Sequence, residues 1–387
     1  MRKILILVAG VSNLPFIQAA KDLGFYVITC DNDVANPGHK IADENIFIDV
    51  YNHVAIIAAI KEKDIDAVMT FVSAHGLNTT SIIADYLHLN GYNPKTLNTL
   101  MDKALFRDFL SQNNLNFPSY QCVKEFNEID FEQITYPIII KPTDKGGSQG
   151  VVKVNNKDEL LMNFESSKDI SDSKKVIIEE FLEGEKIING DCIIFNGDII
   201  GSIVGNYIYD NDTNNVLPIA TLFPTKNDET ESLNQITRIV KILNIPNGII
   251  NFEAIIKDNK PYVVEINPRP SGNYIWKLMG YKYEIDIPKF LIQISFKQTS
   301  DIIILKEHNN SSYAYQLIYS NKDKVFKGYE IPSIMKRNII EEILFKQPNE
   351  RVRKFNNLFD RIGLLLMRFN DENERKLYIE NTKLFRI

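Results

Sequence analysis

The stretch "VVEINPRPSG", residues 263–272, begins as a buried strand and then carries an acid, an amide, two prolines and an arginine. Alternate strand residues share a face, so Glu265 and Asn267 point the same way. The preceding strand "IINFEAII" carries Glu253, and the intervening turn "KDNK" sets the register. A three-residue loop, Asp258–Lys260, puts Glu253 opposite Glu265; a two-residue loop puts it opposite Val264 and separates the acids. Opposed carboxylates repel unless a cation lies between them. Two carboxylates and an amide oxygen suit Mg²⁺, which takes few protein ligands when it also holds phosphates. The alternative is a pair of solvated acids on an exposed sheet face.

Two further stretches could work on the same anion. "IIIKP" ends an apolar strand on Lys141, which either snorkels to the surface or offers a point charge to an anion. The loop "TDKGGSQG" follows, with Gly146, Gly147 and Gly150. Its backbone N–H groups could wrap phosphate oxygens, although a plain glycine-rich hairpin looks the same. It lacks the residue order of a P-loop. "IIEEFLEGE" is an apolar strand running into acids. It is either an ordinary strand end or a hinge whose backbone pairs with an adenine edge flanked by Phe181 and Leu182.

The elements that would position these groups follow from the pattern. Over residues 1–95, "KILILVAG", "YVITCDND", "ADENIFIDV" and "IDAVMTFVS" read as strands, alternating with helices such as "HVAIIAAIKEKD". Continuous apolar strands alternating with helices imply a parallel sheet covered on both faces. "AGVSNL" has one glycine where a dinucleotide fingerprint needs three, so dinucleotide binding is disfavoured. Thr99 is a candidate cap for a helix from about Leu100 to Gln112. "CIIFNGDIIGSIV" is a hairpin with an Asn-Gly turn, "SLNQITRIVKILNI" is an amphipathic helix, and the chain beyond residue 300 reads as α+β.

Composition narrows the function. The chain has 387 residues, a net charge of −6 and 44% hydrophobic residues, enough for several cores. Its basic residues form no block, which disfavours a nucleic-acid partner. No apolar run approaches the ~20 residues of a membrane span, and "MRKILILVAG" reads as a buried first strand rather than a secretion signal. Cys30, Cys122 and Cys192 lie far apart and read as reduced thiols of a cytoplasmic protein. The five histidines have no metal-ligand spacing; His75, after a strand end, is a weak substrate-contact candidate.

The order Lys103 in "MDKALFRDFL", Lys141 in "IIIKPTDKGGSQGV", "IIEEFLEGE", "NFEAII" and "VVEINPRPSG" resembles the ATP-grasp superfamily, in its carboxylate–amine ligase branch. That branch includes the carbamoyl-phosphate synthetase large subunit, biotin carboxylase and purine-pathway ligases. The resemblance implies three parts: a parallel-sheet preATP-grasp domain (1–95), a two-lobed ATP-grasp domain (96–300, mobile lobe about 118–182) and a small C-terminal α+β domain (301–387). It implies ATP with Mg²⁺ or Mn²⁺, and small carboxylate and amine substrates, with a homodimer left open. Lys103 and Lys141 would contact phosphates, and Gly146, Gly147, Ser148 and Gly150 would close over them. The hinge residues Glu179, Glu180, Phe181 and Leu182 would hold adenine. Glu185 or Asp191 would hold the ribose, because Lys186 stands near the place of the usual acid. Gln149 stands where relatives often carry arginine. Glu253, Glu265 and Asn267 would bind the metal, and Arg269 would stabilise an acyl phosphate. The implied activity is ATP-dependent ligation of a carboxylate to an amine; bicarbonate-dependent carboxylation and a non-catalytic ATP-binding module are the alternatives.

Overall fold

A computed structural model describes the chain except residues 148, 185, 211–216, 224–228, 297–304 and 308–310. Strands β1 (Lys3–Leu7), β2 (Tyr26–Cys30), β3 (Glu44–Ile46) and β4 (Ala67–Met69) form a parallel sheet in the order β3-β2-β1-β4. Helix α1 (Leu14–Asp22) connects β1 to β2, α2 (His53–Ile60) connects β3 to β4, and α3 (Leu77–Tyr86) follows β4. The unbroken apolar run of β1 has a simple cause. Ile4 and Ile6 enter one core, while Leu5 and Leu7 enter another on the opposite face.

Helices α4 (Pro94–Met101) and α5 (Lys103–Gln112) follow. Thr99, the expected cap of one helix here, instead donates its hydroxyl back to Lys95 O inside α4. The cap is Asp102, in extended backbone between the two helices, whose Oδ1 accepts from Ala104 N and Leu105 N. A fixed break therefore sits immediately before Lys103.

A small lobe contains β5 (Tyr120–Val123), β6 (Ile138–Pro142), β7 (Val152–Val154), α6 (Lys157–Ile170) and β8 (Val176–Glu180). Its antiparallel sheet runs β5-β8-β6-β7, and it has its own core around Ile138, Ile140, Leu160, Phe164 and Ile178.

The largest sheet begins with β9 (Lys186–Phe195), β10 (Asp198–Tyr209), β11 (Pro218–Phe223), β12 (Gly248–Lys257) and β13 (Lys260–Asn267), with α7 (Glu229–Ile242) between β11 and β12. Helices α8 (Ile275–Tyr283) and α9 (Ile287–Phe296) lead to β14 (Ser312–Ile318). Beyond these come β15 (Lys324–Val325), β16 (Ile339–Leu344), β17 (Arg351–Val352), β18 (Gly363–Phe369) and α10 (Glu372–Asn381). The strand order is β13-β12-β9-β10-β11-β14-β18-β16, so three C-terminal strands extend the sheet that carries β12 and β13. The expected boundary at residue 300 falls outside the described residues. One core joins Phe16 and Phe71 of the first part to Trp276, Tyr315 and Leu365 of the rest. No helix among the described residues is long and apolar enough to cross a membrane.

Replacing Asp102 by Ala is expected to lower unfolding free energy by about 1 kcal/mol, because two N–H groups lose their acceptor, whereas Asp102→Asn should retain most of it. Urea unfolding of the two variants measures this.

Candidate active site

The β12–β13 hairpin turns through Asp258 and Asn259, both with positive φ (51° and 57°), and Lys257 pairs with Lys260. This is the two-residue loop, which alone would separate the acids. Yet Ala254 pairs with Val263, and the next pair is Glu253 with Glu265. Val264 is the extra residue of a β-bulge, which shifts the register by one and returns both acids to a shared face. Arg107 Nη2, from α5, donates to the bulged Val264 carbonyl at 2.9 Å. Beyond the acids, Asn251 pairs with Asn267.

Burial, and then the neighbouring Glu265, push Glu253 up to about 7, even though Tyr207 donates its hydroxyl to it at 3.0 Å. Burial would also raise Glu265, but Lys103, Lys141, Asn267 and Arg269 outweigh it and hold that carboxyl below its usual range. Near neutral pH the pair thus retains a proton on Glu253 that a divalent cation would replace. No trio of His, Cys, Asp or Glu forms a metal cluster among the described residues. Two carboxylates with the Asn267 amide oxygen could still hold Mg²⁺ if phosphates and water complete its shell.

The cations converge from separate elements. Lys141 Nζ on β6 lies 2.6 Å from Glu179 Oε2 on β8, and Arg107 Nη2 lies 2.9 Å from Glu179 Oε1. Arg107 is fully buried. Lys103 Nζ donates to Lys145 O at 2.5 Å, at the start of the glycine loop. Gly147 and Gly150 adopt left-handed backbone (φ 67° and 68°), which explains glycine there. A side chain at Gly147 would meet the Phe359 ring at 3.2 Å. Arg269 donates to Pro270 O, and its Nε has no partner among the described residues.

A family model described as an ATP-grasp domain matches residues 100–273. Those residues form an ATP-grasp domain. The chain is 25% identical over 219 residues to the carbamoyl phosphate synthase large chain of Caldanaerobacter subterraneus subsp. tengcongensis, covering 54% of this chain but 20% of that relative. It is 26% identical over 331 residues to a formate-dependent phosphoribosylglycinamide formyltransferase of Prochlorococcus marinus, covering 81% of this chain and 84% of the relative. The fold resembles that of an L-amino acid ligase from Bacillus licheniformis, with TM-score 0.82 and 18% identity over 99% and 97% of the two chains.

Within the ATP-grasp domain, Lys103, Lys141, Glu253, Glu265 and Arg269 interact electrostatically as one cluster. The hinge side chains are engaged inside the protein. Glu179 holds the two cations, Glu180 pairs with Lys257 at 3.1 Å, and Lys153 Nζ lies 3.8 Å from the Phe181 ring centroid. Leu182 is buried, and the Glu180 N–H is donated to Ser119 O. Ser148 and Glu185 lie outside the described residues. Asp191 is fully buried, accepts from Asn251 Nδ2 and Ser271 N, and is pushed up to about 7 by burial.

Three residues escaped the sequence reading: Arg107, Tyr207 and Arg361. Arg107 left a usable signal, because it lies four residues after Lys103 on the buried stripe of an amphipathic helix, where a cation needs partners. Tyr207 and Arg361 left none, since their neighbours come from distant strands. Arg361 stacks over Phe345 at 4.7 Å, reaches Gly272 O at 3.5 Å, and has no partner for Nε among the described residues.

Arg107→Met should cost about 3–5 kcal/mol in urea unfolding, because Glu179 loses one of its two cations and the Val264 carbonyl loses its donor. The elevated pKa of Glu253 makes a second prediction. In the metal-free protein the stability that this proton confers is full below the ordinary carboxylate value of 4.5 and falls progressively as pH rises from there to about 7, above which Mg²⁺ no longer has to displace it. Saturating Mg²⁺ should therefore raise the melting temperature more at pH 8 than at pH 6, as thermal unfolding with and without the ion would register.

Proposed function

We propose that the protein is an ATP- and Mg²⁺-dependent ligase that activates a small carboxylate as an acyl phosphate and joins it to an amine, releasing ADP and phosphate. The observation that carries this reading is the bulged hairpin. It sets Glu253 against Glu265 within the field of Lys103, Lys141 and Arg269. On this reading Glu253, Glu265 and Asn267 hold Mg²⁺, which offsets phosphate charge. Lys103 and Lys141 take phosphate oxygens, and the loop through Gly146, Gly147, Ser148 and Gly150 covers them. The backbone of Glu179–Leu182 receives adenine, and Glu185 or Asp191 the ribose.

The physical logic is charge compensation. A carboxylate attacking a phosphoryl group brings negative charge toward negative charge, and positioned cations offset that repulsion. Arg269 offers a guanidinium fork to the acyl phosphate and to the oxyanion formed when the amine attacks. The carboxylate is read as an amino acid, in keeping with the L-amino acid ligase of similar fold. The enzyme is read as cytoplasmic, with its three parts dividing near residues 95 and 300.

ADP and phosphate release should appear with particular carboxylate–amine pairs from a panel of amino acids and amino sugars, and not with either partner alone. Release with bicarbonate and no amine would replace this reading with carboxylation. Arg269→Ala should lower turnover by about 10²–10³ while ADP affinity is retained; near-normal turnover would remove Arg269 from the chemistry.

A further inference from the structure

We propose that Asp191 is a positioning residue of the reaction, which anchors the turn ending the signature stretch "VVEINPRPSG" and thereby aims Arg269 at the acyl phosphate. This deepens the ligase reading and rests on it, and it leaves the ribose to Glu185. Asp191 is fully buried on β9, between Gly190 and the buried Cys192. A carboxylate removed from water is costly unless it is hydrogen-bonded. Both of its oxygens are engaged by internal donors: Oδ1 accepts from Asn251 Nδ2 at 3.0 Å, and Oδ2 from Ser271 N at 3.3 Å. With no exposed surface and both oxygens engaged, it is poorly placed to receive ribose hydroxyls.

The composition of the turn makes the bond to Ser271 important. Residues 268–271 read Pro-Arg-Pro-Ser. Proline has no N–H, so Arg269 and Ser271 supply the only backbone donors in that run. Arg269 N donates to Asn267 O at 2.8 Å, and Ser271 N donates to Asp191. Ser271 Oγ in turn accepts from Asn273 N at 3.1 Å. The backbone is thus pinned on both sides of the Arg269 side chain, to its own strand before it and to β9 after it.

The anchor acts on the backbone and leaves the guanidinium for substrate. Nη1 donates to Pro270 O at 2.9 Å, and Nε has no partner among the described residues. Burial disfavours the charge of Arg269, and Glu265 and Asp191 oppose that effect. Asp191 also reaches the cation side of the site. Asn251 Nδ2 donates to Asp191 and to Gly190 O, while Asn251 Oδ1 accepts from Asn267 Nδ2 at 3.5 Å. That turns the Asn267 oxygen, rather than its nitrogen, toward Mg²⁺. One buried acid therefore supports both the arginine and the amide that the ligase reading assigns to phosphate and metal.

The test is calorimetric titration of the ADP–Mg²⁺-saturated protein with inorganic phosphate, a product of the proposed reaction. Wild type is compared with Asp191→Asn, Arg269→Gln and the double variant. Asp191→Asn should weaken phosphate binding about tenfold while ADP affinity is retained. Arg269→Gln should weaken it at least as much. Adding Asp191→Asn to Arg269→Gln should cost at most about twofold more, because Asp191 acts through Arg269. Losses that multiply in the double variant, or an unchanged phosphate affinity in Asp191→Asn, overturn the proposal. Tighter phosphate binding in Asp191→Asn also overturns it, since only the negative charge would then matter. A fall in ADP affinity alone would return Asp191 to the ribose, and absence of phosphate binding by the wild type would sink the proposal too. Should Asp191→Asn not fold, Asn251→Ala removes a donor from Asp191 and leaves its charge. That variant should weaken phosphate about threefold, and an unchanged affinity there overturns the proposal. Because binding is read without turnover, these outcomes are separate from failure of the ligase reading, which would show as no ADP release from the wild type with any carboxylate–amine pair.

Discussion

The paired carboxylates of Glu253 and Glu265 set the terms for everything around them. Two like charges a few ångströms apart repel by about 4 kcal/mol at an effective dielectric near 20. The fold meets this with a proton on Glu253 and with the lysines that keep Glu265 ionised. The same arrangement makes the hairpin receptive to a divalent cation, which can replace the proton and satisfy both acids. The bulge at Val264 is what creates the pairing, and its carbonyl is held by Arg107.

Arg107 also explains how the small lobe is registered to the large sheet. The lobe has its own core and could sit at various angles if apolar packing alone decided. Glu179 of the lobe instead binds both its own Lys141 and Arg107 of α5, and Arg107 in turn binds β13. Buried ion pairs add little net stability, but losing one partner is costly, so they act chiefly by specifying position. Here the specified position brings Lys141 within electrostatic reach of Glu253 and Glu265.

The C-terminal segment contributes strands to the same sheet. That shared sheet fixes Phe345 and Arg361 beside the signature turn, and Phe359 beside the glycine loop. The site is consequently walled on one side by the small lobe and on another by residues more than 70 positions beyond the signature.

Local signals were enough for much of this. The double-faced burial of β1 is written in its uninterrupted apolar residues, and Asn196-Gly197 turns the β9–β10 hairpin as its side-chain-free second residue allows. The order of the lysines, glycines and acids along the chain was likewise legible, because each lies on or beside a recognisable strand or helix. Whether Glu253 faces Glu265 was not legible. A two-residue turn by itself sets the acids apart, and only a bulge brings them back into register. The donor that holds the bulge lies 157 residues away in sequence, on another element, so no local pattern could reveal it. Periodicity and turn chemistry are properties of neighbouring residues and belong to the sequence; the register of a strand at a bulge, and the cation that stabilises it, belong to the tertiary structure because they depend on groups that only folding brings together.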